Sequence, residues 1–271
     1  MQVAFLGGGN MARALIKGML GQGMSAAHIR VGEPMQDARG ALQDEFGVQA
    51  TASNEQAVAG AALVVLAVKP QQLHALLAPL RAALQNGQPL LLSIAAGVRL
   101  ADLARVCPNV PLLRAMPNRA ALVGAGITAL YAEPSLAAGS REMAERVLAG
   151  CGRTVWVGRE SELDIVTAMS GSGPAYFFLL AEQLANAGRA LGLEAATAEL
   201  LARETLRGAG ALLAGPETLA WQREAVTSKG GTTAAALAVL EERGFGAQIA
   251  AAVSAAARRS EQLAEQFGRQ E

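Results

Sequence analysis

The chain has 271 residues, of which 52% are hydrophobic and 17% are charged, a composition typical of a folded protein with a sizeable core. Its 23 basic and 23 acidic residues cancel, so the sequence offers no basic surface for nucleic acid or for an anionic membrane. The two cysteines, Cys107 and Cys151, and the two histidines, His28 and His74, are far apart in sequence. We therefore predict no disulfide framework, no metal site and two buried, unreactive thiols.

The beginning of the sequence shows no targeting pattern. Met1 leads directly into an apolar segment without a basic flank, so no secretory signal is predicted. The apolar run 167–181 is interrupted by glycine and proline and falls short of the ~18 apolar residues of a membrane span. These features predict a cytoplasmic protein.

The first half of the sequence alternates short apolar runs with helical patterns. Continuous runs such as 63–68 suit parallel strands that are buried on both faces. The predicted strands are 2–6, 29–33, 61–68, 89–94 and 111–116, with further edge strands at 127–131 and 154–157. The predicted helices between them are 11–20, 35–46, 54–58 and 71–84. A β-α-β-α series of this kind predicts a doubly wound parallel sheet, the Rossmann arrangement.

After about residue 159 the strand signal fades and helical patterns follow. A long helix is expected to begin at Gly173-Pro174, because proline is favoured at the first helical position. Further helices are predicted at 195–213, 219–226, 234–243 and 247–267. We therefore predict an α/β fold in which a Rossmann domain, residues 1–158, is followed by an all-helical domain, residues 159–271.

A glycine-rich turn follows the first predicted strand, where Gly7, Gly9 and Ala12 fit the pattern G-x-G-x-x-A ahead of a helix. Gly7 makes the tight turn, Gly9 lets the backbone approach a pyrophosphate, and Ala12 lets the helix pack closely on the sheet. The start of the helix, at Asn10 and Met11, offers unpaired N–H groups and partial positive charge to phosphates. This context predicts that the N-terminal domain binds a nicotinamide dinucleotide.

The end of the second predicted strand bears on the choice of dinucleotide. Glu33 stands where an acidic side chain accepts hydrogen bonds from the adenosine ribose hydroxyls, which favours NAD(H). Arg39 lies close enough in sequence to bind the 2′-phosphate of NADP(H) instead. The sequence therefore leaves the choice between NADP(H) and NAD(H) open.

Four further segments carry small or polar residues at places suited to ligands. Two directly follow predicted strands, where open α/β sheets bind their ligands; the others are a loop able to form an anion nest and a small-residue helix start. Taken singly, each segment is explained equally well by ordinary turn and capping chemistry. The segments are Ala67-Val68-Lys69-Pro70, Arg114-Ala115-Met116-Pro117-Asn118, Gly230-Gly231-Thr232-Thr233 and Ser170-Gly171-Ser172-Gly173-Pro174.

Together and in this order, these motifs closely resemble the pyrroline-5-carboxylate reductase family over essentially the whole chain. The most family-specific part is the 230–233 loop with the Val226-Thr227-Ser228 that precedes it. Two positions depart from the family pattern: Arg119-Ala120 stands in place of Thr-Pro after Met-Pro-Asn, and Lys229 replaces the proline before Gly-Gly-Thr. Neither change removes a residue on which the expected chemistry depends.

The resemblance implies reduction of the C=N bond of 1-pyrroline-5-carboxylate to proline by NADP(H) or NAD(H), the last step of proline biosynthesis. It implies that the 230–233 backbone holds the substrate carboxylate and that the catalytic hydroxyl near the ring nitrogen belongs to Thr233. It also implies a homodimer built on the C-terminal helices, with a larger ring such as a decamer as a further step. The expected substrate-binding residues are Ser172, Gly230, Gly231, Thr232 and Thr233; the expected cofactor-binding residues are Gly7, Gly9, Asn10, Met11, Ala12, Glu33, Asn54, Ala67, Val68, Lys69, Pro70 and Asn118.

Two alternatives come from other classes of protein. A β-hydroxyacid dehydrogenase shares the two-domain layout, yet it usually carries a lysine base shortly after a Gly-x-Gly, where this chain has Phe177. An alcohol substrate needs such a base, whereas a protonated imine does not. A non-catalytic dinucleotide-binding protein is the other alternative, and the intact Gly-Gly-Thr-Thr loop argues against it. The sequence does not distinguish the five-membered imino acid from a six-membered homologue, because one methylene changes binding little.

Overall fold

The computed structural model of the chain describes residues 1–268, apart from the side chain of Phe267. Strands and helices alternate as far as β8, and helices alone follow it. The strands are β1 Val3–Leu6, β2 Ile29–Gly32, β3 Gln49–Thr51, β4 Leu63–Leu66, β5 Leu90–Ser93, β6 Leu112–Met116, β7 Gly126–Tyr131 and β8 Gly152–Trp156. The helices are α1 Asn10–Gly21, α2 Gln36–Phe46, α3 Asn54–Val58, α4 Leu73–Leu77, α5 Arg81–Gly87, α6 Leu100–Val106, α7 Ala138–Leu148, α8 Glu162–Val166, α9 Gly173–Ala190, α10 Ala195–Leu212, α11 Leu219–Ala225, α12 Thr232–Glu242 and α13 Phe245–Gly268.

The strands form one eight-stranded sheet in the order β3-β2-β1-β4-β5-β6-β7-β8. The first six strands in this order run parallel, β7 pairs antiparallel with β6, and β8 pairs parallel with β7. This order is that of the doubly wound dinucleotide-binding fold. The predicted α/β class, a Rossmann sheet followed by helices, is confirmed.

Two apolar layers cover the two faces of the sheet. Successive side chains of a strand point to opposite faces, so Phe5 and Val65 pack with α1, α2 and α7, whereas Leu6 and Val64 pack with helices α3 to α6. All four of these side chains are fully buried. Burial on both faces accounts for the continuous apolar runs in the sequence of the central strands.

The structure differs from the sequence-based expectation in the short elements. Strand β3 was not predicted, because it has three residues, none of them fully buried, and carries no apolar run. The expected helix 71–84 is instead a 3-10 turn, Pro70–Gln72, followed by the separate helices α4 and α5. Pro79 separates those two helices. A continuous helix is interrupted there because proline has no N–H to donate and crowds the preceding turn. Helices α6, α7 and α8 were also not predicted.

The chain divides into two compact units, one made of residues 1–171 and the end of the chain from residue 256, the other of residues 172–255. Within the first unit, buried polar contacts hold the segment after β8. Arg114 pairs with Glu160 at 2.8 Å, and the Ser260 hydroxyl donates to the Asp164 carboxylate at 2.6 Å. These contacts fold residues 160–171 and the last part of α13 together with the sheet. The domain boundary between residues 158 and 159 stays a prediction.

The second unit is built from helices whose mutual contacts are made by small side chains. Ala185, Ala198 and Ala202 are buried where α9 packs on α10. Many large apolar side chains remain exposed in the single chain, with Phe177 at 58% and Phe178 at 61%. One segment of the described chain, Glu162–Ala190, is long and apolar enough for a helix that crosses a membrane, judged by length and a mean hydropathy of 1.2 alone.

A glycine pair sets how closely α1 lies to the turn before β8. A Cβ atom on Gly150 would lie 2.1 Å from the carbonyl oxygen of Gly18. Beside this contact, the Cys151 thiol donates to the carbonyl oxygen of Ala14 at 3.2 Å. The backbones therefore touch directly, and only glycine permits this distance.

We expect Gly150→Ala to lower the free energy of unfolding by about 1–3 kcal/mol or more, because the added methyl group meets backbone that has no room to shift. Urea unfolding at a fixed protomer concentration measures the change. Gly139→Ala in α7 is the matched control, since a Cβ there meets nothing within 4 Å. Equal unfolding midpoints for the two variants would contradict the close contact.

Both cysteines are free and buried, as the sequence predicted. Burial raises the pKa of Cys107, and it raises the pKa of Cys151 to about 11. The thiolate is the reactive form, so we expect neither thiol of the native protein to react with a disulfide reagent at about pH 8. Both are expected to react once the chain is unfolded in urea, and absorbance of the released thiol counts them. One rapid equivalent in the native protein would show that a cysteine is accessible.

Candidate active site

Three parallel strands end at the same level of the sheet. Leu6 at the end of β1 pairs with Gly32 of β2 on one side and with Leu66 of β4 on the other. The residues that follow these strands therefore lie at one edge of the sheet, the edge where doubly wound folds bind their ligands. They include the expected cofactor residues Gly7 and Glu33.

Gly7 makes the turn out of β1 with a φ of +99°, a conformation that favours glycine. A Cβ atom on Gly7 would lie 2.7 Å from the carbonyl oxygen of Ala67 and 2.9 Å from Cγ1 of Val68. The structure thus brings the glycine-rich turn against the Ala67-Val68 segment, 60 residues further along the chain. These two motifs form one surface.

The N-terminus of α1 is open in front of Gly9. A Cβ atom on Gly9 would meet nothing within 4 Å, and no side chain caps the helix. The first donor inside the helix is the Arg13 N–H, which bonds the carbonyl oxygen of Gly9 at 3.0 Å. The N–H groups of Asn10, Met11 and Ala12 precede it and lack such partners within the helix. This combination of open space, free donors and partial positive charge fits a pyrophosphate.

Glu33 reaches back over the same turn. Its carboxylate accepts hydrogen bonds from the N–H of Gly8 at 3.0 Å and from the N–H of Met35 at 3.1 Å. Asn54, the first residue of α3, lies beside it, because a Cβ atom on Gly32 would be only 2.2 Å from the Asn54 side-chain oxygen. Glu33 and Asn54 therefore share one corner, next to the glycine-rich turn.

The remaining expected cofactor residues lie after β4 and β6. Pro70 begins the 3-10 turn that Lys69 precedes, and the Lys69 N–H donates to the Gln72 side chain at 3.3 Å. Asn118 accepts a hydrogen bond from the N–H of Ile127 at 3.2 Å, which ties its loop to β7. Arg119, one of the two departures from the family pattern, is exposed beside it. The expected contacts of these residues with a cofactor stay predictions.

The expected substrate residues lie in the second unit, where the 230–233 loop leads into α12. Gly230 has a φ of +72°, and the N–H of Gly231 bonds the carbonyl oxygen of Ser228 at 3.0 Å. Ser228 also occupies the space beside Gly231, since a Cβ atom there would lie 2.3 Å from its hydroxyl. Thr232 and Thr233 form the first turn of α12, with N–H groups that precede the first donor inside the helix.

Ser172 directly follows an irregular stretch, of which the sequence predicted only the small-residue segment that begins at residue 170. Residues Thr167–Gly171 form a π-helical turn after α8, and Ser170 donates to the carbonyl oxygen of Val166 at 3.1 Å. Gly171 leaves space for Met116, because a Cβ atom on this glycine would lie 2.8 Å from the Met116 methyl group. Turns of this kind are rare and frequently mark functional sites.

Among residues 1–268, no three His, Cys, Asp or Glu side chains gather as a metal-binding group.

Known proteins match the chain over its whole length. The pyrroline-5-carboxylate reductase of Pseudomonas aeruginosa is 43% identical over 98% of both chains. The chain belongs to the pyrroline-5-carboxylate reductase family. A solved reductase from Coxiella burnetii superposes with a TM-score of 0.93 at 35% identity, over 97% of this chain and 98% of that one. The reductase of Plasmodium falciparum, solved with NADP bound, gives a TM-score of 0.83 at 25% identity, with the same coverage.

Two family models divide the sequence of this reductase-family member. Residues 160–263 match the model described as pyrroline-5-carboxylate reductase dimerisation, which includes the 230–233 loop. Residues 2–97 match the model of NADP oxidoreductases that are coenzyme F420-dependent, which includes the glycine-rich turn, Glu33 and Asn54. The cofactor is accordingly a nicotinamide dinucleotide.

Substitution of the two glycines in the turn after β1 is expected to have different effects, because an added methyl group meets different surroundings at each position. Gly9→Ala is expected to weaken NADH and NADPH binding about tenfold or more while leaving thermal stability unchanged, since the methyl group enters only the space for the pyrophosphate. Gly7→Ala is expected to lower both affinity and stability, because the methyl group meets backbone of the folded protein. Calorimetric titration and thermal unfolding measure the two properties. Full affinity of Gly9→Ala would place the pyrophosphate elsewhere.

Proposed function

We propose that the protein reduces 1-pyrroline-5-carboxylate to proline with a nicotinamide dinucleotide, the last step of proline biosynthesis. The observation that carries the proposal is the 43% identity to a pyrroline-5-carboxylate reductase over 98% of both chains. The glycine-rich turn and the Gly-Gly-Thr-Thr loop support it, because each has a geometry that suits the expected ligand group.

We assign the cofactor to the carboxyl edge of the sheet. The bound dinucleotide supplies the hydride from C4 of its nicotinamide ring. The backbone at Gly7 and Gly9 and the first turn of α1 hold the pyrophosphate. Glu33 and Asn54 lie toward the adenosine, and Ala67 borders the path of the nicotinamide. The further residues of this assignment are Asn10, Met11, Ala12, Val68, Lys69, Pro70 and Asn118.

We assign the substrate carboxylate to the start of α12. Because the Gly231 N–H is used inside its own turn at 3.0 Å, the donors assigned to the carboxylate are those of Gly230, Thr232 and Thr233. The helix N-terminus adds partial positive charge in favour of an anion. Ser172 completes the proposed substrate site, and Lys229 adds a positive charge at the exposed side of the loop.

The proposed chemistry requires orientation more than acid strength. A protonated imine already carries positive charge, so hydride adds to its carbon atom while the nitrogen keeps its proton. The hydroxyl of Thr233 is proposed to lie at the ring nitrogen and to hold this N–H by a hydrogen bond. This role explains why none of the motifs contains a histidine. The product amine then takes up a proton from water.

The proposal extends to the organisation of the protein. We assign dinucleotide binding to residues 1–158, and substrate binding and dimerisation to residues 159–271, of which 269–271 lie outside the described part. The exposed apolar side chains of α9 support a homodimer, since patches of this kind mark interaction surfaces. The same surface accounts for the apolar segment Glu162–Ala190 without a membrane. A ring of dimers such as a decamer and a cytoplasmic location belong to the proposal.

An activity assay tests the function directly. We expect oxidation of NADH or NADPH, followed at 340 nm, when 1-pyrroline-5-carboxylate is added, and no reverse reaction with a linear 2-hydroxy acid. Dinucleotide binding without turnover would favour the non-catalytic alternative. Turnover of the hydroxy acid would favour a β-hydroxyacid dehydrogenase, even though Phe177 stands where that class has its lysine.

Thr233→Ala tests the proposed catalytic hydroxyl. We expect kcat to fall about 10- to 100-fold, the effect of one lost hydrogen bond to a charged group, while the affinity for the dinucleotide stays the same. Thr233→Ser keeps the hydroxyl and is expected to recover most of the activity. Steady-state kinetics together with calorimetric binding separate the two effects. Equal kcat values for the alanine variant and the unmodified enzyme would remove Thr233 from the mechanism.

A further inference from the structure

The carboxylate of Glu33 is held in place before any ligand binds. Each of its two oxygens accepts one backbone N–H, from Gly8 at 3.0 Å and from Met35 at 3.1 Å. The side chain is half-buried, and it lies beside the turn to which we assign the pyrophosphate. A preorganised carboxylate at this place still has lone pairs for further donors.

The first arginine that follows this carboxylate in sequence, Arg39, points to the main chain instead of outward. The Arg39 guanidinium donates to the carbonyl oxygens of Glu33 at 2.9 Å and of Pro34 at 2.7 Å. Two other arginines on these elements are also engaged: Arg13 pairs with Glu45, and Arg30 donates to the carbonyl oxygen of Ala59 at 2.6 Å. Each of these three cations has a protein partner.

The turn between β2 and α2 brings no free cation to a phosphate, and its unpaired donors are main-chain N–H groups in the first turn of α2. Pro34 has no N–H, and the Met35 N–H is already bonded to Glu33. Residues 33–37 contain no hydroxyl side chain and no cation, and Asp37 in the first turn of α2 adds a second carboxylate. The turn is therefore suited to hydrogen-bond donors and unsuited to an anion.

We infer that Glu33 makes this enzyme favour NADH over NADPH by accepting hydrogen bonds from the adenosine ribose hydroxyls. The inference rests on the proposed function only in taking a nicotinamide dinucleotide as the cofactor. A 2′-phosphate at the same place brings negative charge against a half-buried carboxylate, and no cation of the turn is free to balance it. The Plasmodium falciparum relative is solved with NADP bound, so the fold itself admits a 2′-phosphate, and we assign the discrimination to the side chains of the turn.

Binding measured without the imine tests the inference independently of catalysis. Calorimetric titration of the full-length protein with NADH and NADPH is expected to give an NADH dissociation constant about tenfold lower or better. ADP-ribose and its 2′-phosphorylated form are expected to show the same ratio, because the discrimination lies at the adenosine end. Equal affinities, or tighter binding of the phosphorylated ligands, would overturn the inference. A failure of 1-pyrroline-5-carboxylate turnover would leave these ratios unaffected and would count only against the proposed function.

Substitution of Glu33 tests whether this residue sets the preference for NADH. Glu33→Gln keeps the size of the side chain and removes its charge, and we expect it to shift the affinity ratio about tenfold or more toward NADPH. Asp44→Asn is the matched control, since it makes the same change at an exposed position near the other end of α2 and is expected to leave the ratio unaltered.

Arg39→Ala examines the competing arrangement, in which the guanidinium leaves its carbonyl partners and binds the 2′-phosphate. We expect the NADH-to-NADPH ratio of this variant to equal that of the unmodified protein. The inference is rejected if Arg39→Ala selectively loses NADPH binding while Glu33→Gln keeps the NADH-to-NADPH affinity ratio. That result would show that Arg39 determines the cofactor preference.

Discussion

The functional edge of the first unit depends on the common level at which β1, β2 and β4 end. Parallel pairing aligns Leu6 with both Gly32 and Leu66, so the chain leaves three adjacent strands at one level of the sheet. The space at this edge is small, and it is shared by a turn, a carboxylate and two short loops. Position 7 requires glycine, because the carbonyl oxygen of Ala67 occupies the space that a Cβ atom would need. A shift of any of these strands by one residue would turn the side chains of that strand to the opposite face of the sheet.

Local patterns in the sequence were sufficient for most of this arrangement. The strand, glycine turn and helix at residues 2–20 predicted a pyrophosphate site, and the apolar runs predicted the parallel strands around it. These signals are local because strand burial and helix starts depend on neighbouring residues. Short connections and right-handed crossovers between parallel strands allow few topologies, and the doubly wound strand order is one of them. The family resemblance supplied the substrate class, which neither periodicity nor spacing contains.

Contacts between distant residues could not be predicted in this way. Nothing near Gly18 in sequence indicates that it touches Gly150, and nothing near Glu33 indicates that its carboxylate bonds the Gly8 N–H. The edge strand β3 carries no apolar run, and the motif at 170–174 indicates a helix start without indicating the π-helical turn at Thr167–Gly171. Tertiary packing therefore sets both elements. The same holds for Arg114, whose guanidinium pairs with the distant Glu160.

The hydrogen bond between Asp164 and Ser260 joins segments 96 residues apart. Ser260 and Ala264 are buried in the first unit, and Gly97 lies against the backbone of Ala264. The sheet is synthesised first, yet part of the packing of its unit comes from α13, which follows it by many residues. Domains commonly fold in the order in which they are made. Here the unit that contains the sheet completes its packing only once residues from 256 onward have been made, well after the sheet itself.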